Sequence, residues 1–340
     1  MNQRKTATVT RIALNNALVN QNMELATFYQ QANAGIAEVV LTEFAARLCY
    51  NSTAKMGTAP NFVQNVLQHG HLSVAEHASI FLNSSRFGLS AFRFHNVNRF
   101  FTKHNTMVAG NIRSWLELLS VHGYSPVSEV LISCFPPAFK VSEIAKEFDP
   151  EIFPFENQFS VPSFENVHLL AVNFGSMPKI NKVKRDESDT WGRFTFLVED
   201  ISRACSHQIA RHRGASISEQ SQRYVDAGKA PGFVFPPDAT PEQKTLLGAH
   251  YEIAMKSYRV LRDSGMKKED ARFVLPMAMK TRMMVSFDKK ELLHFLSVRC
   301  APDAQWEIRT VAEKMALQAM LATNHPQFVE IVDKFKLNQI

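Results

Sequence analysis

Fourteen consecutive residues, Arg211-His212-Arg213-Gly214-Ala215-Ser216-Ile217-Ser218-Glu219-Gln220-Ser221-Gln222-Arg223-Tyr224, hold three arginines, a histidine and a glutamate. Such a run restricts the fold. It must lie on a solvated face or surround something anionic, because burying unpaired charge is very costly. Arginine forks suit phosphate and planar carbonyl groups, since they donate two parallel hydrogen bonds. Just upstream, Ser202 to Arg213 reads as a helix on which Arg203, His207 and Arg211 share a face, with Gln208 and His212 in a neighbouring row. A lone Arg-His-Arg is most simply the solvated end of a basic helix. Here Ser221 and then Gln-Arg-Tyr follow after a further seven residues.

Length and composition admit a substantial core, as one large domain or two small ones, in a chain of 340 residues that is 45% apolar and 21% charged. Neither a Gly-rich dinucleotide fingerprint nor a P-loop occurs, so any nucleotide is held another way. No long apolar run predicts a membrane span, and the polar stretch from Met1 to Arg11 lacks a signal-peptide core. The formal charge of +6 predicts anionic partners, either nucleic acid or small phosphorylated ligands. Cys49, Cys134, Cys205 and Cys300 are far apart with no CxxC, which argues against a zinc site or a disulfide framework. They read as reduced thiols of a cytoplasmic protein.

Apolar residues at helical spacing predict an amphipathic helix over Ile36 to Tyr50. A turn at Gly57 to Pro60 precedes a short helix ending at His69, with Gly70 as its stop. Ser73-Val74-Ala75-Glu76 has the form of a capping box. Phe194 to Glu199 and Ser221 to Val225 read as strands. Helices are predicted from Glu242 to Gly265, around Ala271 to Pro276, from Lys289 to Cys300 and from Ala304 to Leu321, and Pro236-Pro237 marks a turn. Met107 to Val121 echoes Met284 to Val298 as a strand followed by a helix.

Four motifs occur in order: Ala45-Ala46-Arg47-Leu48-Cys49-Tyr50-Asn51-Ser52, His69-Gly70-His71-Leu72-Ser73-Val74-Ala75-Glu76-His77, the Arg211 to Tyr224 run, and Leu292-Leu293-His294-Phe295-Leu296-Ser297-Val298-Arg299 followed by Ala304-Gln305-Trp306-Glu307-Ile308. Together they resemble the flavin-dependent thymidylate synthases over about residues 36–82 and 194–310. The resemblance implies an α+β fold, a mixed or antiparallel sheet flanked by long helices, in a single domain over residues 1–340. Residues 84–193 do not fit the family pattern and read as an insertion of unknown role. His77 to Leu82 would begin a strand that Phe194 to Asp200 resumes. A loop-like run rich in Phe and Pro lies inside the insertion, between Phe135 and Pro162.

The family converts dUMP to dTMP with methylenetetrahydrofolate as carbon donor, FAD as hydride carrier and NADPH as reductant, without a cysteine nucleophile. By resemblance Arg299 acts on the pyrimidine with Arg211 beside it, and His71 supports substrate handling near the flavin. A guanidinium can stabilise charge on the uracil ring without leaving its charged state. The resemblance implies flavin contacts from Ser73, Glu76, Arg211, His212, Arg213, Glu219, Lys290 and His294. For dUMP it implies Gln208, Arg211, Glu219, Gln220, Ser221, Gln222, Arg223, Arg272 and Arg299. It implies no metal, and a homotetramer with sites at subunit interfaces.

The family's Asn-x-Arg before the last motif is Asp288-Lys289-Lys290 here. Lysine keeps the charge and loses the fork, and Asp288 would place a carboxylate near an anionic cofactor. Asn111-Ile112-Arg113 in the insertion has the residue types that the later segment lacks. Ser221 has no base held beside it and reads as a binding residue. Cys205 and His207, two apart on a helix, point in different directions and make no dyad. Two other functions compete: a homologue that binds nucleotide or FAD without turnover, and a basic nucleic-acid-binding protein. The second has no known binding motif or aromatic stacking platform behind it.

Overall fold

The computed structural model describes residues 37–83, 102–104, 107–122, 167–173, 192–229 and 232–337, with positions 9–10, 13–14, 25, 28, 30–31, 131 and 135. The Phe- and Pro-rich run after Phe135, Cys134 and all of Met1 to Arg11 except Val9 and Thr10 lie outside the described residues.

The architecture is α+β, as expected. Two antiparallel sheets carry it. The first has order β1-β3-β5-β4, formed by Val9–Thr10, Ser79–Asn83, Met107–Asn111 and Thr102–His104. The second has order β2-β6-β7-β9-β8, formed by Ala13–Leu14, Val167–Asn173, Arg193–Ser202, Lys280–Asp288 and Ser216–Glu219. The expectation that β7 resumes the strand begun at His77 is wrong. β3 and β7 belong to different sheets, because β3 pairs with β1 and β5 while β7 pairs with β6 and β9.

Alternation along the second sheet gives it two apolar faces. Phe194, Phe196, Val198, Met283, Val285 and Phe287 pack on helices near the C-terminus. Leu197 and Met284 face the other way, toward a core shared with Val40, Leu41, Phe44 and Trp115. Helix α1, Ala37–Cys49, lies in that second core against β8 and β9. It was expected to be amphipathic, and instead it is buried on all sides from Glu38 to Leu48. Arg47 and Glu43 survive burial because Arg47 Nε donates to Glu43 Oε1 at 2.7 Å, and Glu43 also accepts from the backbone of Gly57 and Thr58. Gly57 (φ +106°) turns the chain into α2, Ala59–Gln68, and Gly70 (φ +83°) ends that helix as expected.

The echo between the two distant segments is structural. Strand β5 leads directly into α3, Ile112–His122. Asn111 Oδ1 accepts from the Ser114 N–H at 2.8 Å. Strand β9 leads into a helix, Lys289–Arg299, where Asp288 Oδ1 accepts from the Glu291 N–H at 2.8 Å. Both are side-chain caps spanning i to i+3. In each case the cap residue faces the first residue of a neighbouring antiparallel strand, Ser79 of β3 opposite Asn111 and Arg193 of β7 opposite Asp288.

Candidate active site

Helix α4, Arg203–Ala210, begins where Ser202 caps it, accepting from the Cys205 N–H at 3.0 Å. Glu307 holds that cap in place by accepting from Ser202 N at 2.6 Å and Oγ at 2.5 Å. The helix was expected to reach Arg213, yet it stops at Ala210 with Arg211 as its C-cap. His212 N and Ala215 N close turns onto Ile209 O and His212 O, so His212, Arg213 and Gly214 leave the helix axis. Arg203 and Arg211 accordingly diverge in function. Arg203 Nη1 pairs with Glu219 Oε1 at 3.0 Å and its Nη2 donates to Gln220 O at 2.6 Å.

The turn faces the capped helix α7, Lys289–Arg299, across a cleft of about 690 Å³ lined by Arg211, His212, Arg213, Gly214, Asp288, Glu291, His294 and Arg299. That size accommodates a substantial ligand. Gly214 lets the Glu291 side chain approach the turn closely. A Cβ on Gly214 would lie 2.4 Å from Glu291 Cγ and Cδ. His212 packs edge-on against Phe295, with centroids 4.8 Å apart, and its ring is 6.0 Å from that of His294. Arg299 Nε donates to His212 Nε2 at 3.0 Å. An imidazole nitrogen that accepts from a guanidinium is unprotonated, so His212 carries its proton on Nδ1. Burial, then the charges of Arg299, His294 and Arg211, holds its pKa down to about 4. Among the described residues, the Arg211 and Arg213 guanidiniums have no hydrogen-bond or ion-pair partner, and both residues are exposed. Unengaged forks beside neutral and cationic donors form a set suited to an anionic ligand.

Behind the cleft lies a buried polar seam. Arg193 Nη2 donates to Glu76 O and to Ser216 Oγ, both at 2.6 Å. His77 Nδ1 meets Ser286 Oγ at 2.8 Å, and its Nε2 meets Ser218 Oγ at 2.9 Å. These bonds fasten the Leu72–His77 3-10 turn to strands β8 and β9. Burial and the Arg193 charge push the His77 pKa down to about 3.

Of the residues expected to form the site, the structure gathers Arg211, His212, Arg213, His294 and Arg299 in the cleft. Gln208 touches this group through its carbonyl, 3.5 Å from Arg299 Nη2. The others are placed elsewhere. Lys290 is exposed and does not line the cleft, while Lys289 is buried with Nζ 2.8 Å from His325 Nε2. His71 and Ser73 are exposed. The capping box is not made, because the segment winds as a 3-10 turn with no side-chain cap. Glu76 Oε1 instead accepts from Arg113 Nη1 at 2.8 Å. Arg113 Nε also donates to Glu117 Oε1 at 2.8 Å, and neither Asn111 nor Arg113 lines the cleft.

The strand expected at Ser221 to Val225 is a turn, with Ser221 N bonded to Cys49 O and Val225 N to Ser221 O. The strand lies earlier, at Ser216–Glu219. Ser221 Oγ accepts from Arg223 N, and Gln222 Nε2 points to Met279 Sδ at 3.4 Å. Arg223 pairs with Glu269 at 3.1 Å, and Arg272 Nε donates to Glu269 O, so these two arginines form a second basic group around a short helix, α6, Lys268–Ala271, of which Arg272 is the C-cap. Gln220 N bonds Arg282 O. Cys205 is buried while His207 is exposed, as helical geometry requires. Burial raises the thiols of Cys49, Cys205 and Cys300, the last to about 12. Gly214, Glu291, Arg193 and His77 were not singled out from sequence as site residues. The glycine beside Arg-His-Arg and the histidine that closes the His69 to His77 motif were the visible signals among them.

A family model described as Thymidylate synthase complementing protein matches residues 191–326. The flavin-dependent thymidylate synthase of Geobacter sulfurreducens is 47% identical over 126 residues, 36% of this chain and 54% of that protein. The Pyrococcus abyssi protein of the same description is 36% identical over 166 residues, 47% of this chain and 67% of that protein. The chain spans about half the length of several curated relatives, 54% and 56% for two of them. A solved structure of the Helicobacter pylori flavin-dependent thymidylate synthase complexed with FAD and dUMP aligns with 21% identity and a TM-score of 0.34, over 40% of this chain and 72% of that one. The cleft residues all fall inside the matched segment, and the Pyrococcus match extends over 67% of that relative: the chain belongs to the flavin-dependent thymidylate synthase family.

Proposed function

We propose that the chain converts dUMP to dTMP by reductive methylation, with methylenetetrahydrofolate as carbon donor and NADPH as reductant. The observation that carries this reading is the convergence of Arg211, His212 and Arg213 with His294 and Arg299 on one cleft. FAD fits the donor set, because Arg211 and Arg213 are unengaged and exposed where a diphosphate needs paired donors. Those two arginines, His212 and His294 would hold it. When bound, FAD supplies the hydride-carrying chemistry that no side chain of the cleft has.

The chain's own residues prepare the pyrimidine. Uracil C5 is a poor nucleophile, and a guanidinium near the ring carbonyls or an ionised N3 improves it by stabilising the charge that develops. Arg299 is assigned this role. Its Nε is committed to His212 at 3.0 Å and its Nη2 lies 3.5 Å from Gln208 O, which fixes the plane of the guanidinium and leaves Nη1 for the substrate. The neutral imidazole orients the arginine without competing for an anion. Arg223, Arg272 and the Glu219 to Gln222 turn are assigned to the nucleotide. The raised thiols accord with a reaction that uses no cysteine nucleophile. We further assign a homotetramer with sites shared between subunits, small molecules rather than nucleic acid as partners, and a cytoplasmic location.

Flavin absorbance of the purified or FAD-reconstituted protein, followed by dUMP-dependent release of tritium from the pyrimidine 5-position, tests the reading. Failure to take up FAD at any workable concentration rejects it. The carboxylates of Asp288 and Glu291 in the same cleft favour a second reading, a homologue that binds without turnover. FAD uptake with no tritium release would establish that one.

A further inference from the structure

Asp288 puts a carboxylate in a cleft whose other donors suit an anion, and something must offset it. Directly across the ladder, in register with Asp288, stands Arg193. Cross-strand partners project to the same face with Cβ atoms about 5 Å apart. Arg193 is 7% exposed, and its hydrogen bonds go to neutral acceptors, Glu76 O and Ser216 Oγ. Its Nε is buried without a partner among the described residues. A buried guanidinium with only neutral acceptors is expensive unless a counter-charge lies close. Two carboxylates act on it, Asp288 and Glu76. The Glu76 carboxylate is already taken by Arg113 at 2.8 Å, whereas Asp288 accepts from the backbone of Glu291. The counter-charge left for Arg193 is Asp288.

We propose that Arg193 is a positioning residue that neutralises Asp288 at the back of the cleft, so that an anionic cofactor can bind beside that carboxylate. The inference rests on the flavin reading for the identity of the cofactor. Asp288 also caps α7, and asparagine caps as well as aspartate does. The charge can therefore be removed without losing the helix start.

The experiment compares wild type, Arg193→Gln and the double variant Arg193→Gln with Asp288→Asn. Each is titrated with FAD by flavin fluorescence and melted without ligand. Arg193→Gln should weaken FAD binding on the order of tenfold and lower the thermal midpoint, because it strands a carboxylate. Adding Asp288→Asn should restore both affinity and midpoint toward wild type. A residue that serves only to bond Glu76 O and Ser216 Oγ would not be rescued this way. If Arg193→Gln does not fold, a folded double variant that binds FAD supports the proposal, and an unfolded one overturns it. A double variant as weak as the single, or a single that binds like wild type, also overturns it. Should wild type take up no FAD, the flavin reading fails by itself. The charge balance then stands or falls on whether the double variant melts above Arg193→Gln.

Discussion

Arg299 at the last turn of α7 donates its Nε–H to Nε2 of His212, 3.0 Å away, just beyond the end of α4. The bond joins positions 87 residues apart. It requires the neutral imidazole that burial and the surrounding cations enforce. A histidine whose pKa has fallen to about 4 keeps this role throughout the neutral range.

Arg299→Ala should therefore have two effects. Turnover should fall by about 10²-fold or more, as for loss of one preorganised electrostatic donor, with kcat falling alongside kcat/KM. The His212 pKa should rise from about 4 and stay below 6.5, since burial remains its largest cause. NMR titration of the His212 ring reads the second effect directly. A variant with near-wild-type kcat, or an unmoved His212, would show that the pair is not coupled as described.

His77 makes the fold sensitive to acid. It is buried between Ser286 and Ser218, with its pKa near 3 against 6.5 when exposed. The unfolded chain binds this proton first, so the contribution to stability is complete above pH 6.5. It is lost as pH falls from there toward 3. At pH 5 the loss from this group alone is about 2 kcal/mol. Urea unfolding of wild type and His77→Gln at pH 7.5 and 5 should show a shallower pH dependence in the variant. Equal slopes would mean that another group carries the acid lability.

The long helices were legible because their signals are local. Thr240 and Gln243 form a capping box at the start of α5, Pro241–Asp263, and Gly265 (φ +91°) follows its end. The predicted helices Lys289 to Cys300 and Ala304 to Leu321 match α7 and α8, Trp306–Thr323. The Arg-His-Arg cleft was legible through its residue types. Strand β8 was not, because Ser216 and Ser218 are polar by composition and buried only through Arg193 and His77. Arg193 itself is one basic residue among many until Glu76, 117 positions earlier, is folded against it. Such partners have no spacing to read. The two-sheet arrangement was missed for the same reason, since strand pairing across residues 84–193 is a long-range choice.

Gly214→Ala should leave the fold nearly intact and disturb the cleft. The three atoms nearest the added Cβ are all in the Glu291 side chain, Cγ and Cδ at 2.4 Å and Oε2 at 2.6 Å. A flexible carboxylate can swing away, so the stability cost should be about 1 kcal/mol, at the low end for overpacking. Its displacement should weaken FAD binding, and adding Glu291→Ala should restore it. The rescue is expected because the Asp288 cap uses the Glu291 backbone N–H, which the alanine keeps. No change in FAD affinity for Gly214→Ala would show that the Glu291 side chain lies clear of the bound cofactor.

Arg113 ties the family's histidine-rich motif to the neighbouring helix by bridging Glu76 and Glu117, at 2.8 Å each. The Glu117 pair spans one helical turn and is partly exposed, so it is worth a few tenths of a kcal/mol. The Glu76 pair matters more, because that carboxylate is only 10% exposed. Arg113→Ala strands it, and the expected cost is about 1–3 kcal/mol, the desolvation penalty of a buried group left unsatisfied. Adding Glu76→Gln to Arg113→Ala should recover part of that loss. Urea unfolding of both single variants and the double closes the thermodynamic cycle. FAD titration of apo Arg113→Ala beside apo Lys290→Ala separates this role from direct cofactor contact. A stable Arg113→Ala protein that binds FAD weakly, next to a Lys290→Ala protein that binds normally, would make Arg113 a cofactor ligand. A destabilised Arg113→Ala protein that, once folded, binds FAD as wild type does is the outcome the Glu76 bridge predicts.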